Sequence, residues 1–483
     1  MSAEITRPPT RPFGPVGPWL RAYPAEEAAA IRAGLRALAF GDAPAPTIDL
    51  ATIDRRILAI DHAVAAQLDA LLHHPKLQAL EARWRGLALL VERVDPSAGI
   101  RVELLSATVD ELALDFAEAP ELPHAGLFRL VYTRALATYG GAPYGLLCGD
   151  FASGPAAADL ELLRAIGRVA AAAQVPFVGN ARPELLGVES FTELVDLVDV
   201  GAALDGAAGR RWRALRAATS ARYLGLALPR FLLRAPYDVD ADSAAPLPYR
   251  EAARVECDLL WGHASIAFAI RVAEAFRRYR WCVNILGSRH CGVIEAALPG
   301  VPREYATVDL MVSRRLEGAL AREGLIAAAF DRRACGLTFH AAPSLAAPLE
   351  GDEPPRRELN TQLPYVFLSG RVAHYIRRIE RDTVGTWDDP RQIEAPLRAW
   401  LRRYVADLDD AHWETRSRRP FRRAELRLRR APGGWVRARL EIEPHFTHHG
   451  APIVLTTDGR LDPAHNPEHT DGDHPDEPPR SRG

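Results

Sequence analysis

Hydrophobic positions near the start of the chain recur at helical spacing. One stripe consists of Ile57, Ile60, Val64, Leu68, Leu71 and Leu72. Pro75 ends this helix and suits the first turn of the next, where a second stripe consists of Leu77, Leu80, Trp84, Leu87 and Val91. The pattern therefore predicts an N-terminal helical hairpin. Gly86 lies inside the second helix at a cost of about 1 kcal/mol relative to alanine, which indicates close packing against a neighbour.

Strand and helix patterns alternate through the middle of the chain. Short apolar runs predict strands at Ile100–Ala107, Tyr144–Phe151, Val175–Ala181 and Thr307–Ser313. Helical spacing predicts helices at 159–173, 261–280 and 314–322. Capping boxes at Thr108–Glu111 and Ser190–Glu193 mark two further helix starts. This alternation predicts an α/β fold with α+β elements, in which helices flank mixed sheets.

The C-terminal third predicts two helices, at 364–381 and 393–408, followed by a β-hairpin. Apolar residues occupy every second position of the two strands: Leu426, Leu428, Val436, Ala438, Leu440 and Ile442. Arginines occupy positions between them: Arg427, Arg429, Arg437 and Arg439. An apolar face and open edges suit a strand from another chain, and a basic face suits an acidic protein surface. These ten residues are the predicted subunit interface.

Composition changes divide the chain into four predicted regions. Residues 1–46 form a Pro-rich arm, and 47–345 form an N-terminal domain. A Pro-rich polar break, 341–356, separates this domain from a C-terminal domain at 357–455. Residues 456–483 are acidic and rich in histidine and proline, which predicts a disordered tail.

The charge and hydropathy of the chain argue against nucleic acid and membrane as partners. The net charge is −2 over 483 residues, so a global basic field is lacking. Apolar runs fall short of the roughly 20 residues that cross a bilayer, and the N-terminus lacks the apolar region of a secretory signal. We expect a cytoplasmic chain without membrane insertion.

Catalytic and metal-binding motifs are absent from the sequence. It contains no phosphate loop, no G-x-S-x-G elbow and no H-E-x-x-H helix. Cys282, His290 and Cys291 leave a tetrahedral zinc site one ligand short. The glycine-rich run 139–151 precedes a strand, which favours a tight turn and leaves nucleotide binding as the alternative. We therefore expect no enzyme activity, no metal and no cofactor.

Several blocks with distinctive residue patterns follow one another between about residues 50 and 447. They read LQALEARWRGL, GGAPYGLLCGDF, VPFVGNA, LALPRFLLRAPY, LLWGHASIAFA, LPYVFLSGRVAHY and IEPHF. Their most distinctive members are Gln78, Glu81, Trp84, Arg85, Gly86, Gly141, Pro143, Tyr144, Gly145, Asp150, Pro229, Arg230, Pro236, Tyr237, His374, Tyr375, Pro444, His445 and Phe446. In this order, the blocks resemble the large subunit of the contractile sheath of type VI secretion, the family called TssC, VipB, ImpC or EvpB.

The resemblance implies a contractile-sheath large-subunit fold in which these motif residues are structural. It also implies a set of partners in the bacterial cytoplasm: a small sheath subunit of the TssB/VipA type, further copies of the chain in the sheath lattice, an inner tube protein of the Hcp type, a baseplate, and an AAA+ disassembly ATPase of the ClpV type. The implied function is to pair with the small subunit, polymerise around the tube and drive injection by contraction.

Two alternatives to that function stay open on the sequence alone. One is the sheath protein of another phage-tail-like contractile machine, which differs in its partner. The other is a diverged homologue that does not polymerise.

Overall fold

The computed structural model describes the main elements of the chain. The described residues are 24–27, 29–31, 33, 50–197, 199–204, 207–238, 249–253, 256–288, 294–295, 308–334, 336–348, 361–383, 390–406, 412–430, 436–445 and 455–461. Most of the predicted arm at 1–46, the tail beyond Leu461 and the motif residue Phe446 lie outside them.

The predicted helical hairpin is confirmed. Helix α1 covers Leu50–Leu72 and helix α2 covers Pro75–Arg93. Pro75 is the first residue of α2, where its missing N–H has no helical partner to lose. The carbonyl of His74 accepts the N–H groups of Leu77 and Gln78, which begins the second helix directly after a two-residue turn.

A parallel sheet forms the core of the N-terminal region. Strands β1 (Leu147–Ser153), β2 (Phe177–Ala181), β3 (Leu224–Leu228) and β7 (Leu325–Ala327) lie side by side in that order, and every neighbouring pair is parallel. Strands β2 and β3 are buried along their whole length, as expected for a parallel sheet covered on both faces.

Helices of intermediate length connect and cover these strands. They are α3 (Val109–Glu118), α4 (Ala157–Ala173), α5 (Val200–Ala203), α6 (Ala207–Arg216), α7 (Ala264–Tyr279) and α8 (Arg314–Arg322). One turn at Gly126–Phe128 continues as a π-helix, Arg129–Ala137. Single 3-10 turns cover Pro96–Ala98, Leu122–His124, Pro183–Leu186, Phe191–Val195, Thr219–Tyr223 and Glu256–Asp258. Both predicted capping boxes form.

Short strands complete this region. Strands β4 (Phe231–Leu232) and β5 (Trp261–Gly262) pair with each other. Strands β6 (Ile294–Glu295), β9 (Gly336–Thr338) and β8 (Ala329–Asp331) form an antiparallel sheet in that order.

Two of the predicted strands are wrong. Residues 101–107 lie in no strand. The run at 307–313 contributes one isolated bridge, from Val308 to Phe231, and Ser313 instead caps helix α8 with its side chain. The first run satisfied the strand pattern without pairing to a strand of the described chain, and the second pairs at a single position only.

The C-terminal elements form a second core. Helices α9 (Leu363–Thr383), α10 (Pro390–Arg402) and α11 (Trp413–Arg418) precede strands β10 (Phe421–Arg430), β11 (Val436–Pro444) and β12 (Leu455–Leu461). The three strands pair antiparallel in sequence order. The predicted hairpin is confirmed, but ordered structure continues to Leu461, past the predicted end of the domain at 455.

By internal contacts the described chain divides into two compact units. The first contains residues 1–84, 232–261 and 298–305, and the second contains 85–231, 262–297 and 306–483. The second unit includes the C-terminal core, in which Trp281 and Val283 pack with residues of α9, α10 and the sheet. Residues before and after the predicted domain boundary near 345–357 belong to the same compact unit. That boundary therefore stays a prediction.

Candidate assembly surfaces

A buried ionic network ties the helical hairpin to the segment around residues 234–251. Arg234 donates from Nε to Glu81 at 2.9 Å and from Nη1 to Glu251 at 2.5 Å. His73 Nε2 lies 3.2 Å from the other oxygen of Glu251. The Glu251 side chain is almost wholly buried, so each of these partners offsets the cost of desolvating its charge. We call His73, Glu81, Arg234 and Glu251 the hairpin anchor.

Two other contacts support the same junction. Gln78 donates its side-chain amide to the backbone carbonyls of Cys257 and Asp258, and the Tyr249 hydroxyl donates to Asp69 at 2.5 Å. The motif residue Tyr237 is exposed, but its N–H donates to Glu251 and its ring lies 4.4 Å from the Arg234 guanidinium carbon. Pro236 is half-buried beside it.

Arg234 and Glu251 were missed by the sequence-based choice of site residues. Arg234 stands in the same motif as Arg230, four residues further on. The position of Arg234 within an apolar run was a usable signal. An arginine buried in such a run seldom lacks a charged partner. Nothing in the local sequence distinguishes Glu251 from other nearby acids.

The apolar stripe of α2 is exposed. We call Leu77, Leu80 and Trp84 the hairpin stripe; their exposed fractions are 37%, 51% and 61%. Ile60 and Leu71 on α1 are also exposed. Gly86, by contrast, is buried, and a Cβ built there would lie 3.6 Å from Ile266. The glycine faces the chain, while the tryptophan of the same motif faces outward beside the exposed Arg85.

The glycine-rich run forms a tight turn that leads into β1, in agreement with the favoured interpretation. Gly141 donates its N–H to the carbonyl of Thr138 at 3.0 Å, and a Cβ there would meet backbone oxygens at 2.6 Å, so only glycine fits. Gly145 is exposed and Pro143 is half-buried. Tyr144 donates its hydroxyl to Glu103, and this hydrogen bond raises the pKa of the tyrosine.

A cleft of about 330 Å³ lies at the carboxyl ends of strands β1 to β3, the edge where open parallel sheets bind ligands. Two polar side chains that line it, His263 and Arg230, each pair with a nearby carboxylate. Asp150 lies 2.7 Å from Nδ1 of His263, and Arg230 donates to the buried Asp309 at 2.6 Å. Arg230 follows Pro229, which also lines the cleft. These pairs fasten β1 to the start of α7 and β3 to residue 309, which is a structural role.

The structure overturns part of the predicted interface on the C-terminal sheet. Leu426, Leu440 and Ile442 are buried in the chain's own core, and Leu428 packs against the same core. They contact the chain itself, so these side chains are not available to a partner. The strand edge predicted to be open on β11 is also occupied, by β12. Val436 and Ala438 share the register of this face, but their side chains lie outside the described part.

Arginines on the other face form two like-charged cross-strand pairs. Arg427 stands opposite Arg439, and Arg429 stands opposite Arg437. The side chains of Arg427, Arg429 and Arg439 are exposed. Arg427 donates to Glu425 at 3.0 Å, and Arg439 lies 3.4 Å from Glu441. We call these four residues the arginine ladder; their predicted contact with an acidic partner stays a prediction.

The remaining motif residues bind backbone groups within the second unit. His374 donates from Nε2 to the carbonyl of Ala173 at 2.7 Å, and His445 donates from Nε2 to Ala406 at 2.8 Å. Burial lowers the pKa of both histidines. Tyr375 packs its ring against Trp400, and Pro444 is buried opposite Phe421.

The described residues contain neither a cluster of metal ligands nor a membrane-spanning helix. No group of three or more histidine, cysteine, aspartate or glutamate side chains there is placed to hold a metal ion. No helix among them is both long and apolar enough to cross a bilayer.

Comparison with known proteins agrees with the motif blocks. Residues 54–346 match the family model described as EvpB/VC_A0108, tail sheath N-terminal domain, and residues 354–461 match the EvpB/VC_A0108 tail sheath gpW/gp25-like domain. The type VI secretion system sheath protein TssC1 of Pseudomonas aeruginosa is 29% identical over 429 residues, which cover 85% of this chain and 86% of that protein.

A solved structure, the cryo-EM baseplate of the anti-feeding prophage, aligns with a TM-score of 0.31 and 10% identity over 63% of each chain. That similarity is too low to support a shared fold. The two family models, in contrast, together cover most of the chain in order. The chain therefore belongs to the EvpB/VC_A0108 tail sheath family and is a structural subunit of a type VI secretion contractile sheath.

Proposed function

We propose that this sheath protein pairs with a smaller sheath subunit of the TssB/VipA type, and that the hairpin stripe is the surface it uses. The exposure of Leu77, Leu80 and Trp84 along one side of a single helix carries the proposal. Clustered exposed apolar side chains mark interaction sites, and tryptophan is enriched among the residues that dominate binding energy.

The spacing of the stripe indicates what kind of element covers it. Leu77, Leu80 and Trp84 follow positions i, i+3 and i+7 of α2, the spacing at which one helix packs against another. Ile60 and Leu71, eleven residues apart, share a face of α1. We therefore expect an amphipathic helix of the smaller subunit to lie along the hairpin.

The hairpin anchor supports this role because it fixes the backbone of the stripe before binding. Glu81 lies one residue from Leu80 and is held by Arg234. A surface held in its bound conformation loses less conformational entropy on association. Family membership supports the later steps: pairs polymerise around an inner tube protein of the Hcp type on a baseplate, contract, and are disassembled by an AAA+ ATPase of the ClpV type. This work takes place in the cytoplasm and needs no catalysis by the chain.

Two neighbouring positions test the stripe. Leu80→Glu places a charge on the stripe, whereas Ala79→Glu places the same charge on an exposed position outside the stripe, about 100° around the helix from Leu80. After co-expression with the smaller subunit, we expect Leu80→Glu to lose co-purification and Ala79→Glu to retain it. Both should change the free energy of unfolding by less than about 0.5 kcal/mol, because both sites are exposed. Wild-type affinity of Leu80→Glu would exclude the stripe as the interface.

Negative-stain electron microscopy of the co-expressed subunits tests polymerisation. Hollow tubes of sheath dimensions are expected. A one-to-one complex that forms no tubes, even when the inner tube protein is added, would instead identify a non-polymerising homologue. A monodisperse chain that forms no complex at all would contradict the proposed pairing.

A further inference from the structure

Charge is distributed unevenly along the face of the C-terminal sheet that carries the arginine ladder. Towards one end of this face, Glu425 stands opposite Glu441. Towards the other end, Arg427 stands opposite Arg439, and Arg429 lies two residues further along β10. The side chains of these three arginines are exposed. The face is therefore most basic at the end where β10 finishes and β11 begins.

The glutamates of this face already have arginine partners. Glu425 accepts a hydrogen bond from Arg427 at 3.0 Å, and Glu441 lies 3.4 Å from Arg439. Arg429, in contrast, makes no ion pair with any residue that the structure describes. The basic end of the ladder thus presents positive charge that the described carboxylates of the sheet do not neutralise.

The chain leaves the sheet at this same basic end. Strand β12 runs antiparallel to β11 and ends at Leu461, which pairs with Val436, the first residue of β11. Val436 pairs in turn with Arg430, the neighbour of Arg429 in β10. Adjacent strands lie about 4.8 Å apart, so the backbone at Leu461 lies roughly 10 Å from β10 across the sheet. The residues that follow β12 therefore start beside the basic end of the ladder.

The sequence that follows β12 has the complementary charge. Residues 462–477 contain neither lysine nor arginine, and they contain six acids: Asp462, Glu468, Asp471, Asp473, Asp476 and Glu477. We call this stretch the acidic segment; it lies outside the described residues. Five of its acids fall within 468–477. The six residues 462–467 span up to roughly 20 Å when extended, which is enough to bring these acids onto the ladder.

We propose that the acidic segment binds the arginine ladder of its own sheet. Exposed ion pairs are individually weak, but tethering by a short linker gives the segment an effective concentration on the order of millimolar. A second copy of the chain offers the same acids only at the concentration of the free protein, so the tethered segment is favoured. An acidic partner of the ladder then has to displace the segment, which competes for the same surface.

Carbodiimide cross-linking of the full chain tests this contact, because the reagent joins an amine to a carboxylate that touches it. Arginine does not react, and the sequence contains a single lysine, Lys76. Arg429→Lys therefore places a reactive amine on the ladder, and mass spectrometry should find it joined to acids of 462–477. The control is Arg168→Lys, at an exposed position of α4 in the same compact unit, which should give no such link.

An equal mixture of unlabelled chain and chain labelled with nitrogen-15 identifies the source of the acidic segment. Links that join peptides of the same label only arise within one chain and support the proposal. If half of the linked pairs combine both labels, the segment comes from a second copy, and the proposal is overturned. Arg429→Lys that gives no link to 462–477 overturns it as well.

Competition provides a second measurement that does not depend on cross-linking. The probe is a fluorescent peptide with the sequence of residues 462–477, added to the full chain. Replacing the six acids of the chain's own segment by the corresponding amides should tighten probe binding at least about fivefold, because the tethered competitor is removed. Equal affinities for the wild-type and amide-substituted chains would overturn the proposal.

A ladder variant shows where the probe binds. In the amide-substituted chain, Arg427→Gln, Arg429→Gln and Arg439→Gln together should abolish probe binding, whereas Arg168→Gln should leave it unchanged. Probe binding that survives loss of the three ladder arginines would refute the ladder as the site. The thermal midpoint of each variant should match that of the wild-type chain, since all of these positions are exposed.

Discussion

The helical hairpin and the C-terminal sheet each carry one apolar face, but only the sheet covers its own. Leu426, Leu440 and Ile442 are buried against the helices of the same chain, whereas Leu80 and Trp84 are exposed. The apolar face of the sheet is part of the chain's own core, whereas the apolar face of the hairpin is exposed to solvent. Amphipathic spacing therefore finds an apolar face with equal ease in both regions, but it does not tell which molecule covers that face.

The largest expected effect separates the two faces by stability. Leu440→Asp places an unpaired charge in the C-terminal core, and we expect a loss of more than about 4 kcal/mol in the free energy of unfolding. The comparison is Leu80→Glu on the stripe, with its negligible expected loss. Urea unfolding followed by tryptophan fluorescence measures both. Similar losses for the two variants would show that the stripe is covered by the chain itself.

The hairpin depends on its anchor rather than on its stripe. Arg234→Ala leaves the buried carboxylate of Glu251 without its cation, and breaking a buried pair costs about 3–5 kcal/mol. We expect faster amide exchange in α1 and the start of α2, and weaker binding of the smaller subunit. Arg250→Ala removes an exposed pair with Asp238 and serves as the control, at less than about 1 kcal/mol. Unchanged exchange in Arg234→Ala would contradict the anchor.

A smaller effect follows from His374, a half-buried histidine of the second unit. Burial lowers the pKa of His374 below the ordinary histidine value of about 6.5, so the folded chain binds fewer protons than the unfolded chain near that pH. Its contribution to stability is complete above pH 6.5 and declines as the pH falls towards the lowered folded pKa. Unfolding at pH 5 to 8 should show this decline, and His374→Gln should reduce it. A decline as steep in the variant would exclude His374.

Local chemistry explains which elements were predictable. Pro75 fixes a helix start by its own ring, and Thr108 with Glu111 forms a cap from four neighbouring residues, so neither depends on distant packing. All of strand β12 but Leu455 falls in the region predicted as a disordered tail from its composition, and its sequence, LTTDGRL, lacks apolar alternation. Backbone hydrogen bonds to β11 hold this strand. Such bonds do not require a particular pattern of side chains.

The candidate surfaces were less predictable for a physical reason. The strand pattern of 101–107 was recognised, but pairing depends on a second strand that the described chain does not supply. Interface positions were placed on the sheet because alternation there is strongest, yet Leu440 serves the chain's own core. The anchor joins Arg234 to Glu251 and Glu81, and charge pairing at such separations is a property of the fold rather than of local sequence.

The arginine ladder makes the C-terminal sheet sensitive to ionic strength. Arg427 stands opposite Arg439 across adjacent strands, and like charges directly opposite each other weaken a sheet. Dissolved salt screens such repulsion over about 8 Å at physiological concentration. We expect dilution into low-salt buffer to destabilise these strands, and we expect an acidic surface bound to the ladder to replace the counter-ions.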